Sequence, residues 1–360
     1  MKNTLQVIGL MSGTSLDGLD VCCATFTRNE QNLWDYHIDA ARGYEYTPEM
    51  KYKLGTGAQE MSALEFITFH SEYGFFMGDC VNDFLSKHQL HPDLVASHGH
   101  TIFHEPHRQV MYQIGDGAAL AARTGLPVVS DFRRLDIMLG GQGAPLVPIG
   151  DRLLFGQYDY CLNIGGFSNI SFELSGQRIA FDISPVNYVI NHYCRSMRGL
   201  DFDRDGLIAR EGNIHPPLLK ALNELPFYRQ AGPKSLGREW VEQEVYPLID
   251  SMHLPLPDIL RTFYEHAAYQ VAQITCRYPA QGTNPRLLIT GGGAYNVFLI
   301  ERISTLSSCQ VVIPDALTIE YKEALIFAFL GALYMNDEPS CLSSVTGASR
   351  DNIGGMLFKV

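Results

Sequence analysis

One design occurs twice along this chain and restricts its fold more than any other feature. Residues 7–10 are apolar, break into the small-residue turn Ser12-Gly13-Thr14-Ser15, and resume as an apolar run over 19–26. Near the middle, the apolar run 158–164 meets Gly165-Gly166-Phe167-Ser168-Asn169 and resumes at 170–174. Short apolar runs separated by turn residues read as paired strands. Successive backbone N–H groups in such turns form concavities that bind anions. The hydroxyls of Ser12, Thr14 and Ser15 are suited to donate to phosphate, and Asp17 and Asp20 carry the oxygen ligands that suit a hydrated Mg²⁺. Two such turns, one per half, suit the two sides of a phosphate chain. The competing reading is a pair of tight hairpins whose Gly, Ser and Asp serve only turn geometry.

The remaining pattern alternates strand and helix. Strands are expected at 6–11, 19–27, 33–41, 94–97 and 127–130, with helices at 61–89 and 115–124. A second block opens near 151, with strands at 158–164, 170–174, 178–182 and 286–290, and helices at 258–278 and 324–334. Gly291-Gly292-Gly293-Ala294 opens a further helix. Alternation of this kind means an α/β architecture with largely buried sheets. At 360 residues the chain suggests two domains, 1–150 and 151–360, with the C-terminal segment free to pack back on the first.

Charge and composition narrow the partners. The formal net charge is −12 with no Lys/Arg run, which argues against a nucleic-acid partner. No uninterrupted apolar stretch approaches the length of a membrane span, and the N-terminus lacks a signal-peptide pattern. Eight scattered cysteines, none spaced C-x-x-C, fit a reducing cytoplasm better than a disulfide frame or a zinc site.

Several motifs occur together and in order: residues 9–20; Ser97-His98-Gly99 through Pro106; Asp131-Phe132-Arg133; Gly140-Gly141-Gln142-Gly143-Ala144-Pro145-Leu146-Val147-Pro148; Leu162-Asn163-Ile164-Gly165-Gly166; Lys234-Ser235-Leu236-Gly237-Arg238-Glu239; Gly291-Gly292-Gly293-Ala294-Tyr295-Asn296; and Val345-Thr346-Gly347-Ala348. On these the chain resembles the anhydro-N-acetylmuramic acid kinase family over nearly its whole length. That family belongs to the superfamily that also holds actin, the heat-shock ATPases and the sugar kinases. The resemblance implies a two-lobed actin-like α/β fold with an interlobe cleft. It implies ATP and Mg²⁺ as cofactors, an amino-sugar substrate, no nucleic-acid or membrane partner, and a homodimer. The implied reaction, in peptidoglycan recycling, adds water at the anomeric carbon of 1,6-anhydro-N-acetylmuramic acid. The freed 6-oxygen then takes the γ-phosphate of ATP.

The resemblance also implies roles. Asp182, at an expected strand-to-helix turn, takes the proton of the attacking water; helix N-capping is the alternative. Gly13, Thr14, Ser15 and Gly18 form the phosphate turn, Gly165 and Gly166 stand opposite, and Asp17 and Asp20 hold the metal through water or else cap the hairpin. Gly291, Gly292, Gly293 and Asn296 lie along the nucleotide, a packing role for this Gly-rich turn being the alternative. Arg133 has the planar fork for the substrate's carboxylate or for developing phosphate charge, a surface salt bridge being its alternative. Glu323 is expected near the sugar or as first-turn charge on its helix. His98 and His104 are placed to touch sugar hydroxyls or to serve structure.

The chain departs from the family pattern in places. Ile183-Ser184-Pro185-Val186-Asn187 stands for the usual Thr-Gly-Pro-Gly-Asn, Gly99-His100-Thr101 for Gly-Gln-Thr, and Asp151 for a histidine. A kinase for another amino or anhydro sugar, and a catalytically idle binding homologue, stay open beside the family activity.

Overall fold

The computed structural model describes residues 4–13 and 16–360. Thr14 and Ser15 therefore lie outside the described residues. The chain divides into two compact units: Met1–Leu154 with Tyr321–Val360, and Phe155–Glu320. The first division falls at 154/155 rather than 150/151, and the last forty residues group with the first unit.

The first unit is built on strands β1 (Thr4–Ser12), β2 (Gly18–Arg28), β3 (Trp34–Glu45), β4 (Leu94–Ser97) and, beyond a separate hairpin of β5 (His100–Glu105) and β6 (Val110–Ile114), β7 (Val128–Ser130). β1 pairs antiparallel with β2 and parallel with β4; β2 and β3 are antiparallel, and β4 and β7 parallel. Leu19, Val21 and Cys23 on one face of β2 join the core formed with Phe69, Tyr73, Met77 and Phe84 of the helix Ala63–His88. Phe26, on the other face, meets Phe329 of the helix Ala316–Met335. That helix lies so close that a Cβ at Gly9 would overlap the Ala324 carbonyl oxygen, which gives β1 a glycine at its centre.

The second unit repeats the scheme with β8 (Tyr160–Ile164), β9 (Phe167–Leu174), β10 (Gln177–Pro185), β11 (Arg286–Thr290) and β12 (Gln310–Val312). β8 pairs antiparallel with β9 and parallel with β11; β9 and β10 are antiparallel, and β11 and β12 parallel. Each sheet thus carries a third, second, first, fourth and fifth strand in that spatial order. The first sheet adds one edge strand, β13 (Met356–Phe358), antiparallel to β7. The second unit's core gathers Leu162, Ile170, Phe172, Val189, Leu260, Phe263, Leu287 and Ile289.

Three boundaries change a residue's meaning. β10 runs on to Pro185, so Asp182 stands inside a strand at a bulge between Asp182 and Ser184, not at a strand-to-helix turn. The next helix, Asn187–Arg198, is preceded by Val186 without a side-chain cap, so Asp182 does not cap it. The helix expected from 324 starts at Ala316, so Glu323 is in its third turn and is not first-turn charge. β5 and β6 form a hairpin that was not expected from the sequence, because alternation there is masked by polar residues on both faces. No helix among the described residues is long and apolar enough to cross a membrane.

Candidate active site

Asp182 is half-buried, and burial raises its carboxyl above the usual carboxylate range. The Leu236 N–H, donating to Oδ2 at 2.8 Å, opposes that shift. Its own backbone N–H donates to the Lys234 carbonyl at 2.9 Å. A carboxylate anchored through one oxygen and raised in basicity suits proton abstraction from water.

The altered segment after Asp182 is accommodated without left-handed backbone. Val186 has φ −134° and joins the core, and the Ser168 hydroxyl reaches the Ser184 carbonyl at 3.1 Å. Helix Asn187–Arg198 is backed by the β8–β9 turn. Val186 N–H and Tyr188 N–H donate to the Gly166 carbonyl at 2.8 and 3.1 Å, and Asn187 N–H donates to that of Gly165 at 3.3 Å.

The glycines at 165, 166 and 291–293 divide into two kinds. A Cβ at Gly291, whose φ is +78°, would stand 2.6 Å from Asn163 Oδ1 and 2.7 Å from the Ile164 carbonyl oxygen. A Cβ at Gly293 would overlap the Ile164 side chain. Both are demanded by the close approach of two segments of protein. At Gly165 and Gly166 the nearest atoms to such a Cβ are 3.7 Å away, and at Gly292 4.0 Å, with no positive φ at any of the three. Packing within the protein leaves their smallness unexplained, because a Cβ at each would make only ordinary van der Waals contact.

Gly292 lines a cavity of about 480 Å³ together with Asn187, Phe202, Asp203, Tyr264, Tyr295 and Asn296, among others. Its volume is that of a small-molecule site. The Asn296 side chain is committed to structure. Its Oδ1 caps the helix Val297–Leu306 through Leu299 N–H at 2.9 Å, and its Nδ2 donates to the Tyr264 hydroxyl at 2.7 Å. Asp203, 2% exposed, accepts from the N–H groups of Ile208 and Ala209 at 2.9 and 3.2 Å. Neither Asp203 nor Tyr264 carries a sequence signal; distant segments bring them to this wall.

In the first unit, Ser12 is 1% exposed and occupied by protein. Tyr46 donates to its Oγ at 2.6 Å, and its own hydroxyl donates to His100 Nδ1 at 2.8 Å. That hydroxyl is therefore withdrawn from any phosphate, contrary to the expectation. The Leu16 N–H donates to the Gly13 carbonyl at 3.2 Å, and Leu16 takes φ +61°. Gly18 begins β2, where a Cβ would stand 2.5 Å from the Tyr44 carbonyl oxygen; packing explains this glycine. Asp17 is exposed at the bend, whereas Asp20 belongs to β2, half-buried opposite Met11, with its carboxylate over Gly43. Among the described residues no group of three or more His, Cys, Asp or Glu is assembled for a metal. Two carboxylates completed by water and nucleotide oxygens are nevertheless a usual Mg²⁺ environment, so the donor chemistry fits.

Arg133 forms no surface salt bridge among the described residues. Its Nε and Nη2 point at His98 Nε2, at 3.2 and 2.9 Å, and Nη1 donates to the Gly143 carbonyl at 2.8 Å. His98 Nδ1–H donates to the Gly99 carbonyl at 2.9 Å, which assigns the neutral tautomer with Nε2 as acceptor. Burial and the neighbouring guanidinium push the His98 pKa well down. Burial lowers Arg133 to about 10, and the charge of Glu323 pulls it partly back. Glu323 keeps exposed surface, yet loss of water around its carboxyl raises it, with Arg133 and Lys322 opposing. Lys322 pairs at 2.6 Å with buried Asp151, the residue that departs from the family's histidine. His104 Nε2 meets the Gln142 carbonyl at 2.8 Å.

Asp136, absent from the sequence reading, organises two of the motifs. It is fully buried and accepts from Thr346 Oγ1 at 2.8 Å, Asn352 Nδ2 at 3.0 Å and Gly143 N–H at 2.8 Å. A Cβ at Gly141 would overlap its carboxylate.

One sheet order built twice, each time with a small-residue turn between its first two strands, is the actin-like ATPase architecture. Solved chains similar to this one include a ROK family glucokinase from Streptomyces griseus in complex with glucose and AMPPNP (12% identity, TM-score 0.40, 90% of this chain and 98% of that one). Another is the (R)-2-hydroxyglutaryl-CoA dehydratase component A of Acidaminococcus fermentans (10%, TM-score 0.43, 90% and 96%). Residues 5–360 match the family model described as anhydro-N-acetylmuramic acid kinase. Relatives of that name from Shewanella frigidimarina and Vibrio parahaemolyticus are 35% and 33% identical, covering 100% and 99% of both chains. The chain belongs to the anhydro-N-acetylmuramic acid kinase family, and with it to the phosphotransferases.

Proposed function

We propose that this protein opens 1,6-anhydro-N-acetylmuramic acid with water and transfers the γ-phosphate of ATP to the 6-oxygen, yielding N-acetylmuramic acid 6-phosphate in peptidoglycan recycling. The observation that carries the reading is Asp182: a half-buried carboxylate, raised by desolvation and oriented by a backbone N–H. Asp182 removes a proton from water as its oxygen bonds to the anomeric carbon. The bridge C–O bond breaks, and its electron pair stays on the 6-oxygen, which bonds to the γ-phosphorus as ADP leaves. No separate acid is needed for the leaving oxygen, because phosphorus receives it.

Phosphoryl transfer asks the protein mainly for positioning and charge neutralisation. The uncrowded glycines Gly165, Gly166 and Gly292 admit the nucleotide, with its base and ribose in the adjoining cavity. Gly13, Thr14 and Ser15 are the first unit's candidates for binding phosphate. Gly18, Gly291, Gly293 and Asn296 support these segments through packing and hydrogen bonds. Arg133 and Glu323 bind the sugar, Arg133 facing its carboxylate. Asp17 and Asp20 would hold Mg²⁺, which when bound neutralises phosphate charge. A homodimer in the cytoplasm is the expected setting; the free thiols of eight cysteines, seven of them buried, support the reducing compartment.

Incubation with ATP, Mg²⁺ and the anhydro sugar in ¹⁸O-water, followed by mass spectrometry, tests the reading. The expected product is phosphorylated and carries one ¹⁸O in the sugar. Phosphorylation without label, or no product, overturns it.

A further inference from the structure

Asp182 is held from outside its own sheet. Its N–H donates to the Lys234 carbonyl at 2.9 Å and its Oδ2 accepts from Leu236 N–H at 2.8 Å, so residues 234–236 set where the carboxylate points. These three residues belong to no helix or strand, and something must fix them. The Lys234 ammonium does so. It donates to the carbonyls of Phe227 and Gln230, at 2.9 and 3.3 Å, at the short helix Pro226–Arg229. It also lies over the Phe227 ring, 4.2 Å from its centroid.

We propose that Lys234 is a positioning residue for the reaction: its ammonium pins residues 234–236 to the helix Pro226–Arg229 and thereby places the Leu236 N–H that orients the Asp182 carboxylate. The inference rests on Asp182 being the base. Its consequence is electrostatic as well as geometric. An N–H bonded to a carboxylate favours the charged form, so loosening the loop raises the Asp182 pKa further. The groups facing the ammonium are Arg277, which shares the Gln230 carbonyl at 3.4 Å, and Tyr228, whose ring centroid is 5.9 Å away. Burial and Arg277 bring the Lys234 pKa down to about 8, so the pin loses its charge as pH rises through that value.

The test compares Lys234→Met, Lys234→Arg and Asp182→Asn by kcat, ATP KM and the pH profile of kcat. Lys234→Met is expected to lower kcat about 10- to 100-fold, as small misplacements of reacting groups do. The ATP KM stays unchanged and the acid limb of kcat moves to higher pH. Lys234→Arg keeps charged donors and recovers most of kcat; wild type declines above about pH 8, and Lys234→Arg does not. An unmoved acid limb in Lys234→Met, with or without a fall in kcat, overturns the proposal. Should that variant not fold, identical alkaline limbs in wild type and Lys234→Arg overturn it instead. Turnover by Asp182→Asn would remove the base itself, an outcome separable from a failure confined to Lys234.

Discussion

The two units share one sheet order but place their candidate groups on different parts of it. In the second unit the third strand carries the candidate base: β10 bulges at Asp182, and an outside loop grips the carboxylate. In the first unit the third strand, β3, holds no candidate. Its polar groups gather past the ends of β4 and β7, where His98 and Arg133 interlock, and on the helix Ala316–Met335, which carries Lys322 and Glu323. The glycines differ in the same way. Gly9 in β1 exists for a helix that nearly touches the strand, whereas Gly165 and Gly166 have room around them. A repeated sheet is thus a frame that packing specialises position by position: Gly9 is crowded by a helix, whereas a Cβ would fit at Gly165 and Gly166.

The largest expected effect falls on the second unit. Asp182→Asn should lower product formation by about 10²–10⁴-fold, as loss of a general base does, while ATP still binds. The same change should raise the melting temperature at neutral pH. A carboxyl whose folded-state pKa is raised contributes its full stability below the unfolded value and loses it as pH rises through the folded one. The neutral amide removes that loss. Turnover and melting curves moving together would break the comparison.

Next comes the first unit's buried pair. Asp151→Asn removes the carboxylate that meets the Lys322 ammonium where both side chains are about 5% exposed, and should cost about 3–5 kcal/mol in denaturant unfolding. Smaller is Gly9→Ala, which forces β1 from Ala324 and should cost about 1–3 kcal/mol. Its counterpart Gly165→Ala should leave stability unchanged and raise the ATP KM. Equal stability losses for these two alanines, by thermal melting, would dissolve the distinction drawn between them.

Much of this was visible in the chain's pattern. The strand–turn–strand repeat announced both sheets' opening strands, since an apolar run broken by small residues has few other solutions. What eluded it were bonds between residues far apart in sequence. Leu236 orients Asp182 through a backbone N–H, which every residue but proline possesses, so no side-chain signal marks it. Asp136 joins Thr346 and Asn352 across more than 200 residues. The Ser12 hydroxyl, suited on paper to phosphate, is claimed by His100.

By itself the sequence determined the α/β alternation, the turns and the family, because these depend on local periodicity, on residue size and on motif order. Only the tertiary structure decided that Asp182 lies within a strand, which glycines serve packing and which leave space, and which polar groups are already taken. Those outcomes depend on distances between segments, and a hydrogen bond or a steric clash exists only once the distance is set.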